Sequence, residues 1–526
     1  ALGARARPQC RRAHVHSSAE VRQLFFASTH CQWVWHCSSS SMDHVGADAG
    51  APAPRAETLP IRLRTSLPGC SIPYVPYMVP VAWRRSQLST LVNKVLSTAG
   101  EHRTVPFDFI VDGELLRTSL GEYLARKGLS PESTLELEYV RSTLPPVFRD
   151  AAVHDDWIAA VDAQCPGYVL TASFDGCVRV HRAEKGALGA EPLTLEPVHG
   201  GRGRPSLSAA RWLEQGEQGA GALVTGTMDG VVSVWHAPAC EPRTVPAIDA
   251  LDAPFHTAPV STLDVRRGEQ PSVLSASWDG SLALWDPPTA PQSSDSGAKR
   301  RRGTPAERRD GAEPEAPEPK LMLHHVAPAM GAAAARMLGA PPAPGTNARV
   351  LGVFAPEDAS CVWSAGWDGT VKAWDVNAGG IATGQKSSDR VHLCLDAFHG
   401  AARTQLVTGH MDHSLVLYDF RDQVNTAVAI ANAHTAPVGA VRAHPLSPQL
   451  FVSGAYDGRL KVWDVRSPRQ ALFALTQSSA ATESGQARAD KVLALDWTAD
   501  GECVLAGGAD CRVSLYEGHG IGREQI

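Results

Sequence analysis

No stretch of this 526-residue chain approaches the ~18 consecutive apolar residues that a membrane-crossing helix requires, so no membrane partner is expected. An excess of positive charge is missing too. Lys and Arg number 49 against 55 Asp and Glu, a net charge of −6, which excludes a molecule built throughout to neutralise nucleic-acid phosphates. The 11 cysteines include no C-x-x-C pair and no metal-ligand spacing. That argues against a zinc module or a disulfide framework and for free, mostly buried thiols in a reducing compartment. Also absent are a phosphate-cradling glycine loop, a G-x-S-x-G elbow and an isolated pair of carboxylates. The chain is therefore read as a non-catalytic binder without a cofactor. What remains, 43% hydrophobic and 20% charged residues, is globular composition, in a length that calls for more than one folded unit.

One pattern dominates the second part. A small residue, then Asp four positions on, then an aromatic or His six further on, recurs at Thr171/Asp175/His181, Thr225/Asp229/Trp235, Ser275/Asp279/Trp285 and Ser364/Asp368/Trp374. It continues at Thr408/Asp412/Tyr418, Ser453/Asp457/Trp463 and Ala506/Asp510/Tyr516. Most of the Asp residues precede a glycine, which accepts the positive φ of a tight turn. A β-type alternation follows, as in the run from Gly458 to Trp463. Two units carry His256 and His434 at a common distance ahead of Ser275 and Ser453. Four buried polar groups that satisfy one another tie neighbouring strands together. A hydrolase triad is the competing reading of the same His, Ser and Asp, and its repetition in two units favours packing.

These residues resemble the WD40 family over about residues 154–517. The resemblance implies seven radial blades of four strands, with His256, Ser275, Asp279 and Trp285, and His434, Ser453, Asp457 and Trp463, as structural tetrads. Successive turn Asp residues lie 44 to 54 positions apart except between Asp279 and Asp368, which are 89 apart. This places an insertion at about 287–319, rich in Pro, Ser, Glu and Arg and expected to be disordered. It contains Lys299, Arg300, Arg301 and Arg302, a nuclear-localisation candidate, with an RNA contact or a plain solvated charge run as alternatives.

Residues 58–141 follow another rhythm. Ile61–Thr65 alternates as a strand and Tyr77–Val81 supplies a second. Leu88, Leu91, Val92, Val95 and Leu96 fall at helical spacing, with Ser86 or Ser89 placed to cap. Pro106–Val111 and Glu114–Arg117 form a hairpin about Asp112-Gly113, Leu120–Lys127 a short helix stopped by Gly128, and Leu135–Val140 a last strand. That order, ββαββαβ, predicts a ubiquitin-like β-grasp domain. Residues 142–153 are either a linker or the strand that closes the ring. Residues 1–57 read as a leader and linker. The Arg- and Ser-rich stretch 1–41 superficially suits a transit peptide, and the plainer alternative is a disordered or wrongly predicted leader ahead of Met42.

The segments Pro106–Leu120 and Leu135–Tyr139, together with His154-Asp-Asp-Trp157, resemble the notchless-like domain. Followed by seven blades, it is similar to the WD-repeat ribosome-biogenesis proteins of the pescadillo (PeBoW) complex. That resemblance implies a scaffold in large (60S) ribosomal subunit assembly and rRNA maturation, acting in the nucleus, nucleolus and nucleoplasm. The implied partners are a second WD-repeat protein and pescadillo in a heterotrimer, the pre-60S particle, and the AAA+ ATPase midasin, which would remove the complex. Direct RNA contact is left open. The resemblance also places Glu132 as the carboxylate offered to a Mg²⁺ ion held by midasin, and Glu136 and Glu138 are weaker candidates on a strand. A notchless-type assembly factor and a ubiquitin-ligase substrate receptor are the alternatives.

Overall fold

A computed structural model describes residues 57–518, except 68, 100–103, 143–144, 185, 190, 197–204, 214–220, 238–243, 247–250, 254, 268–270, 288–317, 326–348, 357, 401–404, 422–426 and 478–490. The leader and the basic run 299–302 lie outside the described residues.

Alternation builds the first domain. In β1 (Thr58–Arg64), Leu59, Ile61 and Leu63 point inward and are wholly buried. β2 (Tyr77–Pro80) pairs with it antiparallel, and β5 (Leu135–Arg141) pairs with it parallel. β3 (Phe107–Val111) joins the other side of β5, and β4 (Glu114–Leu115) forms the outer edge, giving the order β2-β1-β5-β3-β4. Asp112 (φ 49°) and Gly113 (φ 74°) make the tight β3–β4 turn, both in the left-handed region that such a turn demands. Helix α1 (Arg85–Ala99) lays Leu88, Val92 and Leu96 onto the sheet, where α2 (Leu120–Lys127) adds Leu120, Tyr123 and Leu124. The expected cap of α1 is not formed by either serine. Gln87 Oε1 accepts the Arg84 N–H at 3.0 Å instead, and Ser89 Oγ is committed to the Phe107 N–H.

Seven propeller sheets follow. Each innermost strand (Ile158–Asp162, Leu207–Trp212, Val260–Arg266, Val350–Phe354, His392–Ala397, Val438–Ala443, Val492–Trp497) lines a central channel. The apolar residues of adjacent blades interlock, with Trp212, Trp285 and Trp497 among the largest fully buried side chains. A relay of carboxylates docks blade onto blade. Asp162, Asp264, Asp396 and Asp496 each accept a backbone N–H at or just past the end of the next blade's inner strand: Trp212 (2.9 Å), Phe354 (2.8 Å), Ala443 (2.7 Å) and Ala163 (2.8 Å). Arg442 bridges two of them, 3.1 Å from Asp396 and 3.7 Å from Asp496.

β6 (Val147–Val153) settles the ambiguity over 142–153. It pairs antiparallel with Arg512–Glu517 as the outer strand of the seventh sheet, so segments from both ends of the propeller share one blade. Arg149 adds an ion pair to Glu517 at 2.5 Å. This pairing closes the ring by joining a strand from before the first blade to the last one. The insertion after Trp285 falls between the third and fourth strands of the third blade, whose outer strand is Leu321–His324.

Candidate functional site

The turn that carries Glu132 is built by its neighbours. Ser119 caps α2, accepting the Glu122 N–H at 3.2 Å, and Gly128 (φ 66°, ψ 29°) ends the helix in the left-handed region. Five residues on, Ser133 donates its N–H (3.2 Å) and its hydroxyl (2.7 Å) to the Ser130 carbonyl, while Ser130 Oγ accepts the Glu132 N–H at 3.3 Å. Pro131 stands where a tight turn favours its fixed φ. The backbone is thus braced and the Glu132 side chain exposed.

The other acids of the domain are occupied. Glu136 accepts the Tyr74 hydroxyl at 2.5 Å, and Glu138 lies 3.8 Å from Arg64. Asp108 pairs with Arg85, Asp112 with the Tyr123 hydroxyl, Glu122 with Arg84, and Glu114 with Arg126 and Lys127. Among the described residues from Thr58 to Arg141, Glu132 is the one carboxylate without a hydrogen-bond or ion-pair partner. Hard-oxygen chemistry suits Mg²⁺, but a lone carboxylate can complete such a site and cannot build it. No group of three or more His, Cys, Asp or Glu side chains able to hold a metal occurs among the described residues.

The tetrads are structural in geometry. Ser453 Oγ lies 2.7 Å from His434 Nε2 and accepts the Trp463 indole N–H (2.8 Å), and Asp457 stands 3.5 Å from His434 Nδ1. Burial alone would raise the Asp457 carboxyl, but hydrogen bonds from His434 and Thr435 hold it well below the usual range. A hydroxyl that is wholly buried and already holding an indole has no room to attack a substrate. In the third blade the set is incomplete. His256 reaches Ser275 (2.8 Å) and lies 3.5 Å from Asp279, yet the Trp285 N–H has no hydrogen-bond partner, and its ring packs on Phe255 instead. A full set that the 19-residue spacing missed sits in the fourth blade: His325, Ser364, Asp368 and Trp374, with His325 Nδ1 2.6 Å from Ser364 Oγ. The first and fifth blades hold histidine pairs instead, His154/His181 and His392/His410.

A second feature escaped the motif reading. The residue before each turn Asp is Phe174, Met228, Trp278, Trp367, Met411, Tyr456 or Ala509. Each donates its backbone N–H to the residue just ahead of an inner strand: Trp157, Ser206, Pro259, Arg349, Val391, Pro437 or Lys491. These fourteen positions form a collar on one face of the ring, and none is acidic. Trp278 and Trp367 pack at 5.8 Å, with the Arg349 guanidinium 5.5 Å over Trp278. Lys491 lies 5.2 Å from Tyr456 and 5.9 Å from Trp157. Arg349 Nε and Trp367 Nε1 are buried donors without a hydrogen-bond partner. Trp, Tyr, Arg and Met are the side chains that concentrate energy at protein interfaces.

The profile of the NLE (NUC135) domain matches residues 59–124, and that of the WD domain, G-beta repeat, matches 425–464 and 479–517. The chain is 31% identical over 443 residues to the ribosome biogenesis protein YTM1 of Laccaria bicolor, covering 81% of this chain and 88% of that one. It is 30% identical over 477 residues to the ribosome biogenesis protein WDR12 homolog of Oryza sativa subsp. japonica, covering 90% and 99%. The chain belongs to the YTM1/WDR12 family of ribosome biogenesis proteins. Within that family frame it is a ribosome biogenesis factor, an NLE domain followed by a WD-repeat propeller. The NLE match stops short of Glu132, so the case for that residue rests on the braced turn and the free carboxylate.

Proposed function

We propose that this chain is a non-catalytic assembly factor of the large ribosomal subunit that offers Glu132 to a Mg²⁺ ion held by the AAA+ ATPase midasin. The observation that carries the reading is the sorting of the acids: one carboxylate on a rigid projecting turn is free, and its neighbours are engaged. A pre-formed turn lowers the ordering cost of binding, and a metal-bridged carboxylate gives a point through which force can be applied. The ATPase would then strip the chain and its partners from the pre-60S particle. In this reading the propeller joins a second WD-repeat protein and, through it, pescadillo. The acid-free aromatic collar is the surface whose composition best suits that contact. Lys299, Arg300, Arg301 and Arg302 would serve entry to the nucleus, and the site of action is the nucleolus and nucleoplasm.

The test is a sedimentation profile in cells that carry only the Glu132→Ala chain. The variant is expected to accumulate on particles the size of 60S precursors, with the wild type mostly released. A wild-type-like distribution would contradict the reading. Trp278→Ala/Trp367→Ala is expected to reach the nucleus yet fail to co-purify with the second WD-repeat protein.

A further inference from the structure

The β3–β4 hairpin of the ubiquitin-like domain touches the sixth blade at the loop between Arg459–Asp464 and the outer strand Phe473–Thr476. Arg469 from that loop pairs with Glu114, which also holds Arg126 and Lys127 at 3.1 Å each. Arg117 donates to the carbonyls of Ala471 (3.0 Å) and Leu472 (2.9 Å). The Leu115 N–H, on the outer edge of the β-grasp sheet, reaches the buried Ser467 hydroxyl oxygen at 3.0 Å. At the hairpin tip, Gly113 lies so near the Arg466 carbonyl that a Cβ there would be 3.3 Å from it.

Two properties of this contact matter together. It is narrow and polar, with open clefts on both sides, one lined by Arg126, Lys127 and Gln470 and the other by Arg84, Arg85 and Phe473. Arg469 is 62% exposed, and an ion pair that wet is weak and screened by salt. Polar interfaces of this kind between domains permit relative motion. Glu114 nevertheless holds three cations at once: Arg469 of the propeller, and Arg126 and Lys127 in the last turn of α2. The Glu132 turn begins directly after that last turn.

We propose that the Glu114–Arg469 contact is a charge-controlled latch, which docks the ubiquitin-like domain on the sixth blade and releases it without unfolding either domain. Closed, it fixes the direction in which the Glu132 turn faces. Open, it leaves the domain free on the residues that lead to β6.

The test uses the full chain and changes only the propeller side, so that the ubiquitin-like fold is untouched. Amide hydrogen exchange at Leu115 is compared with that at Tyr139 in the domain core, for wild type, Arg469→Lys, Arg469→Glu and Ser467→Ala. Arg469→Glu and Ser467→Ala are expected to speed Leu115 exchange by roughly tenfold, with Tyr139 unchanged and Arg469→Lys close to wild type. Raising the salt concentration should do to the wild type what Arg469→Glu does. Leu115 exchange that is equal in wild type and Arg469→Glu would overturn the latch. So would a parallel rise at Tyr139, because release would then be unfolding.

Discussion

His325 and Ser364 meet at 2.6 Å across 39 residues of chain, where the corresponding His434 and Ser453 are separated by 19. The chain between a tetrad histidine and its serine can therefore lengthen without disturbing the bond. What the tetrad fixes is the approach of two strands, whatever the length of chain between its members.

The tetrads should differ in strength. Ser453 satisfies an imidazole and an indole, and Ser275 only an imidazole. Ser453→Ala leaves two buried groups unpaired and is expected to cost about 2–4 kcal/mol, against about 1–2 kcal/mol for Ser275→Ala. Denaturant midpoints of the two variants, measured side by side, check the order. Equal shifts would mean that the Trp463 N–H adds nothing.

Stability should peak near neutrality. Burial depresses His154 and His410 to about 3, and His181 and His392 to about 4, and it lowers His434 as well. The folded form of each is neutral, so its contribution is present above the unfolded value of about 6.5 and is lost as pH falls toward 4. Burial raises Asp396 to about 8 and Asp496 to about 7, and lifts Asp264 as well. Their contribution runs the other way, being present in acid and lost as pH climbs through 7–8. Below about pH 6.5 five imidazoles outweigh three carboxylates, and above it only the carboxylates act. Unfolding midpoints measured across this range should pass through a maximum at about pH 6–7. His392→Phe should flatten the acid limb and Asp396→Asn the alkaline one.

Glycine positions separate strain from collision. Gly128 has φ +66° and open space where a Cβ would go, and Gly230 has φ +84° with the His256 carbonyl 2.6 Å from that point. Gly128→Ala should cost about 1–2 kcal/mol for a left-handed alanine alone. Gly230→Ala must also move backbone and should lower the propeller's unfolding midpoint several times further.

Much of this architecture is legible in the residues, because the turn Asp and the position six beyond it keep a fixed spacing in every blade. The Asp112-Gly113 turn and the Gly128 stop are equally plain, since each needs a backbone conformation that few residues accept. Other features have no local signal. Residues Val147–Val153 lack a clean alternation, so their pairing with Arg512–Glu517 is visible only when the ring closes. Trp285 carries the same letter as Trp463, yet its N–H finds no partner, a difference of packing and not of motif. The collar repeats in register with the turns, but its meaning depends on seven blades sharing one face. Glu114 and Arg469 lie 355 positions apart, and no pattern along the chain joins them.

Glu132 carries the central claim. The direct measurement is binding of the full chain to midasin's metal-site domain in Mg²⁺ and in EDTA, for wild type, Glu132→Ala and Glu136→Ala. The account predicts that EDTA and Glu132→Ala each weaken binding by about a hundredfold or more, equivalent to about 3 kcal/mol, and that Glu136→Ala leaves it nearly unchanged. Binding that survives both chelation and the loss of Glu132 would contradict it.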